Sequence, residues 1–251
     1  MLQSTKTNER GFTLIEMSIV LIIIGLIIGG ILKGQELIES ARQKNFISQI
    51  DAIRAGVNTF QDRFKGFPGD YGGVVPCAVC VAGNDNGVTN ATAANGAAIA
   101  ALTGNTLEQY EFFNHLIGAG MVGGSASPIA TGSAGFAGGA FASALPQAAF
   151  PQSGLTIAYG THAGGTAGAD TRTTHWLRAS RFGAAGVVTA GTAILAPTRL
   201  SQLDGKYDDS IGSTGLIRGG DAATAGCGVE GGVTAYAATT LVLCSAVVAI
   251  E

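Results

Sequence analysis

Phe12-Thr13-Leu14-Ile15-Glu16-Met17-Ser18-Ile19-Val20-Leu21-Ile22-Ile23-Ile24-Gly25-Leu26-Ile27-Ile28-Gly29-Gly30-Ile31-Leu32 is the longest apolar run in this chain. Its 21 residues hold one charge, Glu16, and about 20 apolar residues are what an α-helix needs to cross a bilayer. Lys6 and Arg10 precede the run, so the positive-inside bias keeps the N-terminus cytoplasmic and sends the rest outward. An ordinary secretory signal has a shorter apolar stretch and a small-residue cleavage site; here Gly29, Gly30 and Gly34 follow instead and the helical pattern continues past them. A plain uncleaved anchor fits the length, but it accounts for Glu16 only if that carboxylate snorkels to the headgroups, because an unpaired charge in a membrane helix costs a few kcal/mol.

Beyond the apolar run the pattern becomes amphipathic. Phe46, Ile50, Ile53, Val57, Phe60 and Phe64 recur at spacings of 4, 3, 4, 3 and 4, while Lys44, Gln49, Asp51, Arg54, Asn58, Gln61, Asp62 and Arg63 lie between them. That is one apolar stripe on a helical face. No proline interrupts residues 12–64, so one helix of 53 residues is allowed, roughly 80 Å long at 1.5 Å per residue. Gly25, Gly29, Gly30 and Gly34 would let helices approach closely, at about 1 kcal/mol each in helix propensity. Gly66 stands at a plausible C-cap with Pro68 just beyond.

The rest of the chain has different physics. Of the 31 charged residues among 251, residues 1–71 carry 15; the remaining 180 residues carry 16 and most of the 39 Gly and 40 Ala. The net charge is -3 with no Lys/Arg cluster, which argues against a nucleic-acid partner, and glycine without a three-residue period excludes collagen. Thr106-Leu107-Glu108-Gln109 is a capping-box pattern opening a helix near 107–117, with Leu107, Tyr110, Phe113 or Asn114, and Ile117 on its apolar face. Residues 155–159, 186–195, 216–218 and 241–250 read as strands of an antiparallel sheet. Tracts 118–150 and 160–170 read as small-residue surface loops, with a display surface as the functional alternative. Asn90-Ala91-Thr92 matches a glycosylation sequon.

Gly11-Phe12-Thr13-Leu14-Ile15-Glu16, after a short polar leader and before a long apolar run, resembles the class III signal of type IV prepilins and type II secretion pseudopilins. The resemblance covers residues 6–40 strongly and the remainder weakly. It implies an α+β pilin-like fold, with residues 1–11 a leader peptide, 12–65 a long helix (12–32 transmembrane, 33–65 amphipathic) and 66–251 a head built on an antiparallel sheet. It implies cleavage between Gly11 and Phe12 by a prepilin peptidase on the cytoplasmic side, and N-methylation of Phe12 by the same enzyme. Glu16 becomes the counter-ion of a neighbouring subunit's new α-amine and fixes register during assembly, a use for which a buried ion pair is suited. The partners implied are further copies of the chain in a helical filament, the peptidase, an inner-membrane assembly platform and the bilayer. The filament is a surface pilus for adhesion, motility or DNA uptake; the alternatives are a periplasmic pseudopilus or a membrane-anchored domain that does not polymerise. Family members often carry a proline within the membrane half of the helix, and this chain has none there.

Four cysteines allow three pairings, and a head outside the cytoplasm is expected to form disulfides. Cys77–Cys80 and Cys227–Cys244 are the expected pairs, the second resembling the C-terminal loop of many pilins. A zinc site is disfavoured because there is only one CxxC knuckle, and a redox role for Cys77 and Cys80 lacks a βαβ context. Leu203-Asp204-Gly205-Lys206-Tyr207-Asp208-Asp209 resembles a segment of some pilin-like proteins. Asp204, Asp208 and Asp209 could supply oxygen to calcium, although Lys206 departs from an EF-hand; the alternative is a turn whose carboxylates are satisfied locally, with no cofactor. His115, His162 and His175 are the only histidines, and no H-E-x-x-H, G-x-S-x-G or P-loop pattern is present, so the sequence reads as a non-enzyme.

Overall fold

The computed structural model describes residues 11–89, 107–124, 147–151, 153–163, 171–181, 194–212, 214–220, 227 and 244–250. The chain forms two compact units, residues 1–44 and residues 45–251. Helix α1, Leu14–Phe64, contributes to both and spans 51 residues without a break. In the first unit its side chains are exposed almost throughout: Ile15, Leu21, Ile22, Leu26 and Leu32 are all more than 60 % accessible. Among its described residues the ion pairs are local, Lys33 with Glu36 at 2.7 Å and Arg42 with Glu39 at 3.4 Å.

In the second unit the stripe on α1 is buried as its spacing requires. Phe46, Ile50, Ile53, Val57 and Phe60 enter the core, and Phe64 packs on its margin. Gly56 joins them because Val122 approaches so closely that a Cβ would sit 3.1 Å from its methyl. Arg54 fastens α1 to the sheet: its Nε and Nη2 donate to the Ala249 carbonyl at 3.2 and 2.6 Å.

The sheet has four antiparallel strands in the order β1-β2-β4-β3: β1 Ser153–Ala163, β2 Thr171–Arg181, β3 Ile217–Gly220 and β4 Ser245–Ala249. Ile157, Leu177, Val248 and Ile217 lie in register across it and face the core beneath α1. The alternate positions form a second buried face with Trp176, Val247 and Ala249. Arg218 lies over the Trp176 ring, 4.9 Å from its centroid, and Trp176 Nε1 donates to the Gly160 carbonyl at 3.1 Å. Burial pushes Arg178 on that face down to about 10, which leaves it cationic at neutral pH.

Helix α2, Leu107–Gly118, lies where the capping-box pattern puts a helix, and it buries Phe113 and Asn114 of the expected face together with neighbouring positions. Phe112, Phe113 and Leu116 are in the core and Ile117 is only half-buried. The remaining buried positions of α2 are polar: Glu108, Gln109, Glu111, Asn114 and His115. The periodicity argument assigned the apolar face by hydrophobicity alone, whereas a loop, residues 66–89, covers the polar side and supplies its hydrogen bonds. His115 joins the two ends of that loop. Its Nδ1 accepts from Gly69 N–H at 3.0 Å, so Nε2 carries the proton and donates to the Val81 carbonyl at 2.9 Å.

Three further differences have physical causes. The left-handed residue after α1 is Lys65, with φ 59°, not Gly66; Gly66 is needed for close approach, since a Cβ there would meet Tyr71 Cδ2 at 2.7 Å. Residues 160–163, expected in a loop, complete β1 against β2, a strand the sequence reading missed because its charged and threonine-rich face looked solvated. Residues 197–207, which include Asp204, form a helix, α3 (Pro197–Tyr207), whose Leu200 and Leu203 are buried, with Asp208 at its C-cap and Asp209 just beyond. Of the other expectations, the strand at 186–195 and the sequon at 90–92 fall largely or wholly outside the described residues, as do most of the small-residue tracts.

Candidate functional site

The residues singled out near the N-terminus gather at the start of α1. Gly11, Phe12 and Thr13 precede the first helical residue, Leu14, and Phe12 is 82 % exposed. Thr13 and Glu16 close on each other. Thr13 N–H and Thr13 Oγ1 donate to Glu16 Oε2 at 2.9 and 2.7 Å, and Glu16 N–H donates back to Thr13 Oγ1 at 3.3 Å. This is a capping box, which satisfies two otherwise orphaned helix donors. The signal for it, Thr-x-x-Glu ahead of an apolar run, is present in the sequence, but the reading above used Glu16 only as a charge.

The geometry has two chemical consequences. The box starts the helix at Leu14, so the peptide joining Gly11 to Phe12 stays outside it in non-helical backbone. The carboxylate of Glu16 has donors within its own chain. Past this point α1 is long and apolar enough to cross a membrane, and its most apolar window is wholly exposed. Gly25, Gly29, Gly30 and Gly34 lie on open surface, where an added Cβ would meet nothing within 4 Å.

A family model for the prokaryotic N-terminal methylation motif matches residues 6–32. The chain carries the class III signal of type IV pilins and pseudopilins. The motif is one found on pilin- and pseudopilin-type subunits and fits a membrane-anchored protein, and the long apolar helix with an antiparallel sheet is consistent with an α+β pilin-like layout. No curated protein and no solved structure matches the chain.

The cysteines meet in two pairs, Cys77 with Cys80 and Cys227 with Cys244. The first packs on the end of α2: a Cβ at Gly118 would lie 2.5 Å from Cys77 Cβ. The second closes beside the sheet, where Cys244 pairs with Leu195 ahead of β4. Asp204, Asp208 and Asp209 also come together, each offering an oxygen within 4.8 Å of the others. Two of them are engaged by the chain itself. Asp208 Oδ2 accepts from the backbone N–H groups of Leu216 and Ile217, the latter at 2.8 Å. Asp209 Oδ1 accepts from Ile211 N–H at 2.8 Å, and its Oδ2 from the Thr214 hydroxyl. The bonds to Asp208 and Asp209 make the segment a carboxylate-stapled turn. His115 serves the fold as described, and His175 stacks on Phe67 with ring centroids 3.7 Å apart.

Proposed function

We propose that this chain is a structural subunit of a type IV pilus-like filament, processed by a prepilin peptidase between Gly11 and Phe12 and methylated on the new Phe12 amine. The observation that carries the reading is the methylation motif at residues 6–32 lying on a helix whose apolar length is fully exposed. An exposed apolar surface of that extent requires a partner. The bilayer serves before assembly, and neighbouring helices serve afterwards.

Within this reading Glu16 exchanges partners. Before cleavage the capping box supplies its donors. Cleavage creates a cation at Phe12, and a neighbouring subunit's amine pairs with the carboxylate and sets the axial register. The protein is a substrate of the peptidase.

The mature N-terminus tests the reading directly. Mass spectrometry of protein from its own cells should show a chain beginning at Phe12 with one added methyl; an intact leader on membrane-held protein would overturn it. Glu16→Ala should insert normally and fail to assemble. Sheared surface fibres containing the protein support the pilus, whereas retention in the envelope beside a secreted cargo identifies a pseudopilin.

A further inference from the structure

The two disulfides have unlike surroundings. Cys227 and Cys244 are 0 % and 1 % exposed beside the sheet. Cys77 and Cys80 are half-buried, in a stretch whose Pro76, Ala78 and Ala82 are exposed. The rings they close also differ in size, since Cys227 and Cys244 stand 17 positions apart and Cys77 and Cys80 only 3. In the chain-entropy model the shorter ring removes less freedom from the unfolded chain, so the fold depends on it less.

The loop at 66–89 keeps its place without the Cys77–Cys80 bond. Hydrogen bonds shut its neck: Gly83 N–H donates to the Tyr71 carbonyl and Asp85 N–H to the Asp70 carbonyl, both at 2.8 Å. The Asp70 carboxylate accepts from the N–H groups of Asn86 and Gly87, and His115 holds Gly69 and Val81. Within that neck the two cysteines are restrained unequally. Cys80 adjoins the held Val81, and its Sγ lies 3.3 Å from the Asn114 carbonyl of α2. Cys77 stands between the exposed Pro76 and Ala78 and rests on Gly118, which has no side chain to pin it.

We propose that Cys77–Cys80 is a thiol-exchange site: a dithiol reductant opens this bridge in the folded protein and leaves Cys227–Cys244 closed. A thiolate of the reductant attacks Cys77 Sγ and forms a mixed disulfide, and the electron pair of the broken S–S bond leaves on Cys80, which takes up a proton. The reductant's second thiolate then attacks its own sulfur in the mixed disulfide, and Cys77 leaves and is protonated. The protein gains the two electrons and two protons that the reductant gives up in becoming a disulfide. Attack at Cys77 is favoured because that side of the bridge is the less restrained, and because the S–H formed on Cys80 finds an acceptor already in place, the Asn114 carbonyl. Both sulfurs lie against Gly118 at the C-terminal end of α2, whose negative pole disfavours a thiolate. The pair is therefore a target of exchange and not a catalyst of it. This assignment does not depend on the filament reading.

The test uses the full-length protein in detergent micelles, treated with dithiothreitol without denaturant, quenched with iodoacetamide and mapped by peptide mass spectrometry. Cys77 and Cys80 should be alkylated about a hundredfold faster than Cys227 and Cys244 or more, because a fully buried bridge waits for its surroundings to open. The near-UV signal of the buried Trp176 should persist, and amide exchange should quicken at residues 73–80 and not at 83–87. Equal rates at the two bridges, faster labelling of Cys227 and Cys244, resistance of both, or loss of the Trp176 signal on reduction overturns the assignment. A brief pulse of glutathione, a monothiol, tests the order of attack: it should leave glutathione on Cys77 and the alkyl group on Cys80, and the reverse pattern overturns that order.

Discussion

Two isoleucines on one helix should respond very unequally to the same change. Ile53 lies in the α1 stripe and is 2 % exposed, whereas Ile23 is 53 % exposed. Truncating a buried isoleucine to alanine removes apolar area and leaves a cavity, at a cost of about 2–5 kcal/mol. Ile53 is flanked on its face by Ile50 and Val57, both fixed in the core, so the site cannot collapse readily and about 3 kcal/mol is the expected loss. For a folded unit of this size that lowers Tm by about 6–12 °C. Ile23→Ala should stay within about 0.5 kcal/mol, as surface changes do. The assay is near-UV circular dichroism of the full chain in one detergent, following the buried Trp176, with urea unfolding as a second measure. A loss under about 1 kcal/mol at Ile53, or an equal loss at both positions, would refute the claim that the second half of α1 is the core element of its unit.

Other outcomes follow from particular contacts. Burial holds the His115 imidazole below its usual value of 6.5, so its contribution to stability is full above that pH and lost as pH falls through the lowered value. Glu108 and Glu111 are held above 4.5 by burial and oppose this trend, since protonation relieves their penalty; urea unfolding across pH 7.5 to 5 should therefore show a decline that His115→Gln flattens. Gly118→Ala forces a Cβ against the Cys77–Cys80 bridge and should cost about 1–3 kcal/mol, whereas Gly25→Ala, which meets nothing, should raise helix stability by up to about 1 kcal/mol; thermal melts of the two variants check both signs. Thr13→Val removes the hydroxyl that both gives to and takes from Glu16, and should speed amide exchange at residues 14–17 about fivefold, with Thr13→Ser restoring protection.

Much of α1 was legible because one physical constraint fixed each half. An apolar run of membrane length needs no tertiary context, and the stripe from Phe46 to Phe64 repeats often enough to define a face. The methylation motif was legible for the same reason: it is local. What escaped depended on partners remote in sequence. β2, from Thr171 to Arg181, carries arginines and threonines that read as solvated, yet Arg178 and Thr174 are buried. The polar face of α2 reads as surface until the loop at 66–89 closes over it, and a buried Glu108 has no signature in a hydrophobicity pattern. α3 has Pro197 at its first turn, a favoured helix start, but no capping side chain at Ala196 and no acidic residue in that turn to mark it further.

The strand order carries a consequence for how the molecule comes into being. β1 and β2 form a hairpin between neighbours in sequence, but among the described residues β3 pairs only with β4, and β4 also pairs with the other edge of β2. Residues 244–250 further provide Cys244 for the disulfide to Cys227 and the Ala249 carbonyl that receives Arg54. A chain that emerges from its N-terminus onward thus carries an unfinished sheet until this last short segment appears. Closing the sheet, locking the covalent bridge and docking the long helix then become one event, and a chain truncated before residue 244 should lose all three.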